Sequence, residues 1–564
     1  MSKESEKKFN ASPFISFIWS ICDDCLRDVY VRGKYRDVIL PMLVIRRLDL
    51  CLEATKADVL KMKAQLESAG VHNPGPALLA AAKQDYYNDS PFMLKDLTSR
   101  TNAQQLKADF EAYLDGFSEN VQDILGKFKF RNQIPTMLDA GILGSVIEKF
   151  VAPPVNLAPY PILNDDGTER QAALDNHAMG TIFEEVLRKF NEENNEEAGE
   201  HFTPRDGVEL LADLVLLPVA DQIESTTYSL YDGASGTGGM MTIGELGLRR
   251  IAEERKKKIS IYMFGQEINP ETYAITKADL LLRGEGGRKS RVAFGSTLSR
   301  DGYPTETFDF HLSNPPYGKS WKVDAELMGG KDGIVDPRFV VTWKGEPLSM
   351  IPRSSDGQLL FLLNHVAKMK DDTKLGSRIA EVNNGSSLFT GDAGSGESNA
   401  RRYLIERDLV EAIVALPENM FYNTGIGTFV WVLSNRKSAK RRGKIQLIDA
   451  TQMKVPLRKN MGQKNCEIDA ANRAKVMDLF LNMKETPESK IFDNAEFGYW
   501  QITVERPLRL SVDLSRPIPA GVLKDADKVA YDAIKQKFSG GGGDFSENRL
   551  GCLRFAERPE EAAA

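Results

Sequence analysis

Four consecutive residues, Asn314-Pro315-Pro316-Tyr317, combine the acceptors and the stiffness needed to handle a planar amine. The Asn314 side-chain oxygen and the Pro315 backbone carbonyl can accept hydrogen bonds from both N–H groups of a ring-conjugated amine, which localises its lone pair. The prolines fix φ and offer no competing N–H, and Tyr317 offers a face for stacking a base, worth about 1–3 kcal/mol. The alternative is a rigid turn after the apolar run FDFHLS. The motif predicts a site that binds and activates a planar amine.

A second motif is rich in small residues and follows the apolar run TYSLY, and it reads DGASGTGG from Asp232 to Gly239. Small residues let backbone amides approach a ligand, and a helix that begins there points its first N–H groups at it. Glu267 ends the next apolar run, IYMFGQE, where a carboxylate can accept both ribose hydroxyls of an adenosine. The alternatives are an ordinary glycine-rich loop and a solvated glutamate. Together the two motifs predict a nucleotide-like cofactor site.

A third motif, Phe202-Thr203-Pro204-Arg205, precedes these runs. Thr203 and its neighbours are candidates for the amino-acid end of such a cofactor. Threonine followed by proline is also a common signal for the start of a helix. Both interpretations are compatible with the position of the motif.

The elements around these motifs predict an α/β protein with an added helical domain. Residues 1 to about 150 carry apolar residues at three- and four-residue spacing, which is typical of helices. A proline-rich connector, APPVNLAPYPILNDDGTE, then marks a boundary. From about 170, short apolar runs alternate with helical stretches, which indicates a mainly parallel, Rossmann-like sheet with helices on both faces. We predict an N-terminal helical domain at 1–165, the sheet domain at 166–455 and a C-terminal helical or irregular region for subunit contacts at 456–564.

Two polar stretches lie in or after the sheet domain. The Gly- and Ser-rich segment from about 385 to 400 is expected to be a mobile loop. The C-terminal region contains a Gly540 to Gly543 run and an Ala-rich acidic end, so we expect part of it to be flexible.

Composition is that of an ordinary globular protein, and its charge does not exclude DNA binding but suggests that a partner supplies much of the contact. The formal net charge is −7, whereas a protein that binds DNA alone usually carries a basic surface. The most basic run, Arg436 to Lys444, joins two apolar runs and is interpreted as a solvated hairpin, with a phosphate contact as the alternative. No apolar run is long enough for a membrane span and no secretory signal is evident, so a cytoplasmic location is expected. Cys22 and Cys25 are interpreted as two thiols on one helical face, and no metal site is predicted.

In this order, the motifs resemble the amino-methyltransferases that place the amino-terminal cofactor motif before the Gly-rich turn. More closely, the chain resembles the modification (M) subunits of type I restriction–modification systems. The resemblance covers most of the chain and includes YRDVILPMLVIRRL, GTIFEEVLRKF, GEHFTPR, DGASGTGGM, GQEINPETYAI and SNPPYG. It also includes LPENMFYNTGIGTFVWVLSN, a block more specific to these subunits than the cofactor turn.

The resemblance implies methylation of the N6 amine of a flipped-out adenine in DNA, with S-adenosyl-L-methionine as the cofactor. It also implies a complex of two such subunits with one specificity (S) subunit, joined by a restriction (R) subunit in the full enzyme. The catalytic residues implied are Asn314, Pro315, Pro316 and Tyr317. The cofactor-binding residues are Glu200, His201, Phe202, Thr203, Pro204, Arg205, Asp232, Ser235, Gly236, Thr237, Gly238, Gly239, Glu267 and Ser296.

The chain departs from the family pattern at two places. Gly233 and Ser235 replace the Pro and Cys of a turn that often reads Asp-Pro-x-Cys-Gly. Both replacements are small, so backbone amides of the turn can still approach a ligand closely. Ser296 stands where the family usually has an Asp or Asn that holds the adenine amine of the cofactor. A serine hydroxyl can accept a hydrogen bond but is neutral and shorter. We therefore expect Ser296→Asp to tighten cofactor binding or leave it unchanged in calorimetry; clear weakening would count against this role.

Three alternatives to the M-subunit interpretation stay open. One is a self-sufficient DNA amino-methyltransferase, acting on adenine N6 or cytosine N4, although the tail of about 110 residues is short for a target-recognition domain. Another is methylation of glutamine side chains, which are also planar amines. The last is a catalytically weak scaffold subunit, which the intact Asn314 motif and Glu267 argue against.

Overall fold

The computed structural model describes residues 9–193, 203–285, 290–330, 332–422, 424–498, 510–512 and 553–555. The chain divides into two compact units, Met1–Gly498 and Tyr499–Ala564. Glu200, His201, Phe202 and the Gly540 to Gly543 run lie outside the described residues. In the second unit, the described strands pair antiparallel and are numbered last below.

The N-terminal part of the first unit is helical, as predicted. Its helices are α1 Ser12–Ile21, α2 Arg36–Leu52, α3 Lys56–Ser68, α4 Gly75–Ala82, α5 Ala103–Asp115, α6 Glu119–Lys127, α7 Gln133–Asp139 and α8 Leu143–Val151. Helix α2 is buried along nearly its whole length, and its buried charged residues have partners: Arg46 pairs with Asp49, and Arg47 donates to the carbonyls of Leu157 and Leu174. Cys22 and Cys25 follow α1 in a π-helical turn, and both side chains are buried.

The proline-rich connector forms a small hairpin and leads into a long helix. The hairpin strands are β1 Ile162–Leu163 and β2 Glu169–Gln171, and the helix is α9 Asn176–Glu193. The helices that follow are α10 Arg205–Leu216, α11 Gly239–Glu254, α12 Pro270–Leu282, α13 Lys322–Leu327, α14 Gln358–Ala367, α15 Ser386–Phe389, α16 Gly396–Glu406 and α17 Ala470–Asn482.

The strands after the connector form one large sheet and several hairpins. They are β3 Thr227–Asp232, β4 Ser260–Glu267, β5 Ser290–Phe294, β6 Phe310–Ser313, β7 Val340–Trp343, β8 Glu346–Ser349, β9 Arg378–Asn384, β10 Val410–Ala415, β11 Thr428–Ser434, β12 Lys444–Asp449, β13 Val455–Met461, β14 Lys464–Glu467, β15 Ser489–Asp493, β16 Leu510–Val512 and β17 Leu553–Phe555. The large sheet has the order β15-β12-β10-β11-β9-β6-β3-β4-β5. Only β11 and β15 run antiparallel to their neighbours, so the predicted mainly parallel sheet is confirmed.

The order of the strands brings the motifs together. The sequence goes from β3 outward to β4 and β5, then crosses back to β6 on the other side of β3. In a doubly wound sheet, ligands bind at the carboxyl ends of the strands where the order reverses. The Gly-rich turn follows β3, Glu267 ends β4 and the Asn314 motif follows β6, so all three lie at this edge.

Helices cover both faces of the sheet. Residues of α10, α11 and α17 form one apolar core with the strands, and residues of α14 and α16 form another on the opposite face. The core of the N-terminal bundle extends to α9 and α12, so the bundle and the sheet share these two helices.

The hairpin predicted at the basic run is wrong. Strands β11 and β12 are not neighbours, because β10 lies between them and pairs parallel with β12. Lys437 and Arg441 are also buried rather than solvated. Lys437 Nζ donates to Asp408 at 2.7 Å, and Arg441 donates to the Phe480 carbonyl. With these partners, neither side chain is free for the phosphate contact considered above.

The loop predicted from about 385 to 400 is also wrong for most of its length. Residues 386–389 form α15, and α16 begins at Gly396 with the Ser395 side chain accepting from the Ser398 N–H. Strand β15, which was not predicted, joins the sheet beyond residue 455. The domain boundaries at 165 and 455 stay predictions. No helix in the described ranges is long and apolar enough to cross a membrane.

Candidate active site

The Gly-rich turn folds over the end of β4. The Ser235 N–H donates to the Gln266 carbonyl at 3.0 Å, and the Gly236 N–H donates to Glu267 Oε2 at 2.9 Å. Gly238 has φ +86°, and a Cβ there would lie 2.9 Å from Thr276 Cγ2. Only glycine fits both the conformation and the space, which allows α11 to begin at Gly239 with its N-terminus at the turn.

Glu267 is almost fully buried, and its carboxylate stabilises the Gly-rich turn by accepting the Gly236 N–H. Its second oxygen accepts from the Asn269 N–H at 2.7 Å. The Glu267 carboxylate also lines the pocket described below, and its contact with a ribose stays a prediction.

The Asn314 motif follows the buried strand β6. Asn314 Nδ2 donates to Thr203 Oγ1 at 3.0 Å, while Asn314 Oδ1 is buried without a partner among the described residues. An unpaired buried acceptor is unfavourable by about 1–3 kcal/mol unless a ligand satisfies it. The side chain therefore presents a ready acceptor for an incoming N–H.

Thr203 does not cap a helix. Helix α10 begins at Arg205, its N-cap residue is Pro204, and no side chain caps it. A helix does begin at this motif, as the Thr-Pro pair indicates, but Pro204 is its N-cap residue and the Thr203 hydroxyl accepts from Asn314. Arg205 Nε donates to Glu209 one turn along the helix, at 3.2 Å.

Burial favours the neutral forms of three side chains at the site. It raises the pKa of Tyr317 to about 12 and that of Asp232 to about 7. Asp232 Oδ1 accepts from Ser313 Oγ at 2.7 Å, and its Oδ2 has no partner among the described residues. Burial also lowers the pKa of His365 to about 3.

Ser296 lies in a turn after β5, but its hydroxyl is already used. Its oxygen accepts from the Leu298 N–H at 3.2 Å and, more weakly, from the Ser299 N–H at 3.5 Å. The hydroxyl therefore shapes its own turn, and its capacity to accept from a ligand is reduced.

Residues that the sequence analysis missed stabilise the Gly-rich turn after β3 and the Ser296 turn after β5. His365 Nε2 accepts from the Gly233 N–H at 3.2 Å, and its Nδ1 lies 2.7 Å from Glu381 Oε2. A Cβ at Gly233 would lie 2.9 Å from the same Nε2, so this contact requires the glycine that departs from the family pattern. Thr297 donates to the Gly233 carbonyl and ties the two turns together.

Arg338 supports the Ser296 turn in the same way. Its guanidinium donates to the carbonyls of Thr297 and Leu298, each at 2.7 Å, and pairs with Asp336 at 2.7 Å. Asn364 accepts a further bond from it at 3.0 Å. Residues 338 and 365 are far from either turn along the chain, so no local spacing could have revealed them.

These features surround one pocket of about 390 Å³. Among the described residues, only Pro204 and Gly238 of the predicted site do not line it. The predicted residues that line it are Thr203, Arg205, Asp232, Ser235, Gly236, Thr237, Gly239, Glu267, Ser296, Asn314, Pro315, Pro316 and Tyr317. Phe183, Ile268, Trp321 and Asp324 also line it and were not predicted.

A doubly wound sheet whose switch point holds this pocket and the Asn314 motif is typical of a nucleotide-cofactor methyltransferase. Family comparison gives the particular kind. The N-6 DNA Methylase family model matches residues 174–498, more than half of the chain, and the HsdM N-terminal domain model matches residues 15–150. The chain thus belongs to the N-6 DNA methylase family, as a type I restriction–modification methylase subunit that methylates adenine N6 by S-adenosylmethionine-dependent transfer.

Individual relatives agree with this assignment. The type I restriction enzyme MjaIX methylase subunit of Methanocaldococcus jannaschii is 23% identical over 95% of this chain and 89% of its own length. The HindI methylase subunit of Haemophilus influenzae is 26% identical, over 49% of this chain and 54% of its own length. The methyltransferase subunit of a type I system from Streptococcus thermophilus has the same fold. Its TM-score is 0.64 at 20% identity, with 86% of this chain and 97% of that chain covered.

Proposed function

We propose that the pocket binds S-adenosylmethionine beside a flipped-out adenine, and that Asn314 activates the adenine amine. The observation that carries the proposal is the buried, unpaired Asn314 Oδ1 in the wall of a pocket that also contains the Gly-rich turn and Glu267. The exocyclic amine of adenine is a donor of the kind this acceptor lacks. The same four-residue motif supplies the Pro315 carbonyl as a second acceptor.

The residues present fit the cofactor. Glu267 would hold the ribose, and the Gly-rich turn would approach the chain that links ribose to the amino-acid end. Asp232 Oδ2 and Ser235 Oγ are buried without partners among the described residues, and both residues line the pocket. Either atom can receive the ammonium group of the amino-acid end. Bound S-adenosylmethionine supplies an electrophilic methyl group on a sulfonium.

The chain's own residues then lower the barrier by positioning and by electrostatics. Asn314 Oδ1 and the Pro315 carbonyl accept the two N–H groups and turn the nitrogen lone pair toward the methyl group. Tyr317, kept neutral by burial, stacks on the base and offsets part of the few kcal/mol needed to flip it. The nitrogen loses its proton after methylation, when it is strongly acidic, so no strong base is required.

The chain works in a larger complex under this proposal. Two copies would join one specificity subunit, which reads the DNA sequence, and a restriction subunit would complete the enzyme in the cytoplasm. A solved structure of matching fold, with a TM-score of 0.51, comes from work on complex assembly in a type I system. The acidic net charge of −7 supports a partner that supplies much of the contact with phosphate.

Co-expression with a candidate specificity subunit and sequencing of the host methylome test the proposal. We expect N6-methyladenine at one specific recognition sequence, and none when the specificity subunit is left out. Sequence-specific methylation by the chain alone would contradict the subunit role. N4-methylcytosine at the site would contradict the choice of base.

A further inference from the structure

The Ser296 turn lacks an obvious acceptor for the adenine amine of a cofactor. The Ser296 hydroxyl oxygen already accepts from the Leu298 N–H at 3.2 Å and from the Ser299 N–H at 3.5 Å. An exocyclic amine placed at this wall needs another acceptor, because a buried donor left unpaired is unfavourable.

A carboxylate from a different element stands beside this turn. Asp324 lies in α13, between β6 and β7, and lines the same pocket as Ser296. The Ser299 hydroxyl donates to Asp324 Oδ1 at 2.6 Å, which fixes the carboxylate against the turn. Among the described residues, Asp324 has no cationic partner within 4.0 Å, so its charge is not already neutralised there.

The surroundings of Asp324 suit the edge of a flat ring. Leu298 and Trp321 are buried and line the same pocket as Asp324. The Trp321 indole N–H donates to the Arg353 carbonyl at 2.9 Å, so the polar atom of this side chain is engaged away from the pocket. An apolar wall with one carboxylate is selective for a ring that carries an N–H donor.

We propose that Asp324 accepts the exocyclic amine of the cofactor's adenine, the role that the sequence assigned to Ser296. The carboxylate reaches the pocket from the segment after the catalytic motif instead of from the end of β5. This inference rests on the proposed use of S-adenosylmethionine. It makes Asp324 a specificity-determining residue for the cofactor base and not for the DNA base.

A pair of ligands that differ at the Watson–Crick edge of the purine tests the inference. S-adenosylhomocysteine carries the 6-amine and an unprotonated N1, whereas S-inosylhomocysteine carries a 6-carbonyl oxygen and an N1–H group. In calorimetry on the full chain, wild type should prefer the adenosyl ligand. Asp324→Ala should weaken the adenosyl ligand about ten- to a hundredfold, the loss of a hydrogen bond to a charged group, and leave the inosyl ligand unchanged.

Asp324→Asn should keep the shape of the site and can donate to the inosyl carbonyl, so we expect its preference to shift toward S-inosylhomocysteine. Glu326→Ala is the matched control, because it removes a carboxylate from the same helix outside the pocket. It should leave both affinities unchanged. If both Asp324 variants keep the wild-type preference, the inference is overturned. If wild type binds neither adenosyl ligand, S-adenosylhomocysteine nor S-adenosylmethionine, the proposed function fails instead.

Discussion

At the scale of single residues, the orientation of one amide decides whether the site can work. An asparagine side chain can present either its oxygen or its NH₂ group to a ligand. The Thr203 hydroxyl accepts the NH₂ group of Asn314 and leaves the oxygen toward the pocket. The position of Thr203 before the sheet thus serves the Asn314 motif directly, a link that the sequence analysis did not anticipate.

Thr203→Val tests this link. Valine keeps the shape of the side chain but cannot accept from Asn314, so the amide is free to rotate. We expect the methylation kcat to fall about three- to tenfold, the value of one ordinary hydrogen bond, with little change in KM for DNA. Thr203→Ser keeps the hydroxyl and should retain the wild-type kcat. Equal kcat values for the Val and Ser variants would show that Thr203 does not orient the amide.

The pKa of Asp232 predicts how the stability of the ligand-free protein depends on pH. Burial raises its pKa from 3.8 to about 7. Between these values the folded chain holds a proton that the unfolded chain has lost, so the contribution of Asp232 to stability falls as pH rises from about 4 to about 7. Asp232→Asn stays neutral throughout. The melting temperature of wild type relative to Asp232→Asn should therefore fall over this range and level off above it. A constant difference between the two proteins would contradict the raised pKa.

At the scale of elements, the sequence predicted which segments form strands better than it predicted which strands pair with each other. The runs that became β3, β4, β5, β6, β9, β10 and β11 were recognised because strands covered by helices on both faces are largely apolar, although β5, at the edge, is only half-buried. Pairing is decided by crossovers between distant segments, so β12 was wrongly placed beside β11. The segment from 385 to 400 looked like a loop because it is rich in Gly and Ser. Local composition does not show that packing stabilises α15 and α16.

The candidate site was predictable to a similar extent. Motifs that end strands were found, because the carboxyl ends of parallel strands share one edge. His365, Arg338 and Asp324 were not found, because each reaches the pocket from a segment that has no motif of its own. Their contribution depends on the folded sheet, which brings residues together that the sequence separates.

Helices α9 and α12 meet at a glycine, and this contact makes a further prediction. A Cβ at Gly180 in α9 would lie 2.4 Å from Arg283 Cζ. Arg283 Nε donates to Asp279 at 2.7 Å, and its guanidinium lies 3.8 Å from Glu184. Alanine normally stabilises a helix over glycine, but here it must displace the guanidinium. We expect Gly180→Ala to lower the free energy of unfolding by about 1–3 kcal/mol in denaturant titrations.

Gly126 in α6 is the matched control for this substitution. No atom lies within 4 Å of a Cβ built at this position. Gly126→Ala should therefore raise the free energy of unfolding by about 0.5–1 kcal/mol. If both variants are stabilised equally, Arg283 does not need the space at Gly180.

At the scale of the whole molecule, the helical bundle and the sheet are joined through shared helices. Asp123 of α6 accepts from the Tyr273 hydroxyl at 2.8 Å and from Lys277 at 3.0 Å, both on α12. Because α12 begins just after Glu267, the bundle braces the helix next to the candidate cofactor site. A partner that docks on the bundle would therefore act on a surface connected to that site.

The acidic net charge predicts how tightly the chain binds DNA with and without its specificity subunit. Because its net charge is −7, we expect the isolated chain to bind the phosphate backbone of DNA weakly. In fluorescence anisotropy at physiological salt, we expect a Kd of about 10⁻⁴–10⁻⁶ M for the chain alone, the range of non-specific binding. Addition of the specificity subunit should bring binding of the recognition site to about 10⁻⁸ M or tighter. Tight, sequence-specific binding by the chain alone would argue against this division of labour.

The most direct test of the central claim is mass spectrometry of nucleosides from DNA treated with the assembled complex and methyl-labelled S-adenosylmethionine. Wild type should yield labelled N6-methyladenine and no other labelled base. Asn314→Ala removes the acceptor, so it should still assemble with its partner but lower the yield by about 10²–10³-fold or more, as loss of an oxyanion-type contact does. Label on cytosine, or undiminished N6-methyladenine from Asn314→Ala, would contradict the role assigned to the Asn314 motif.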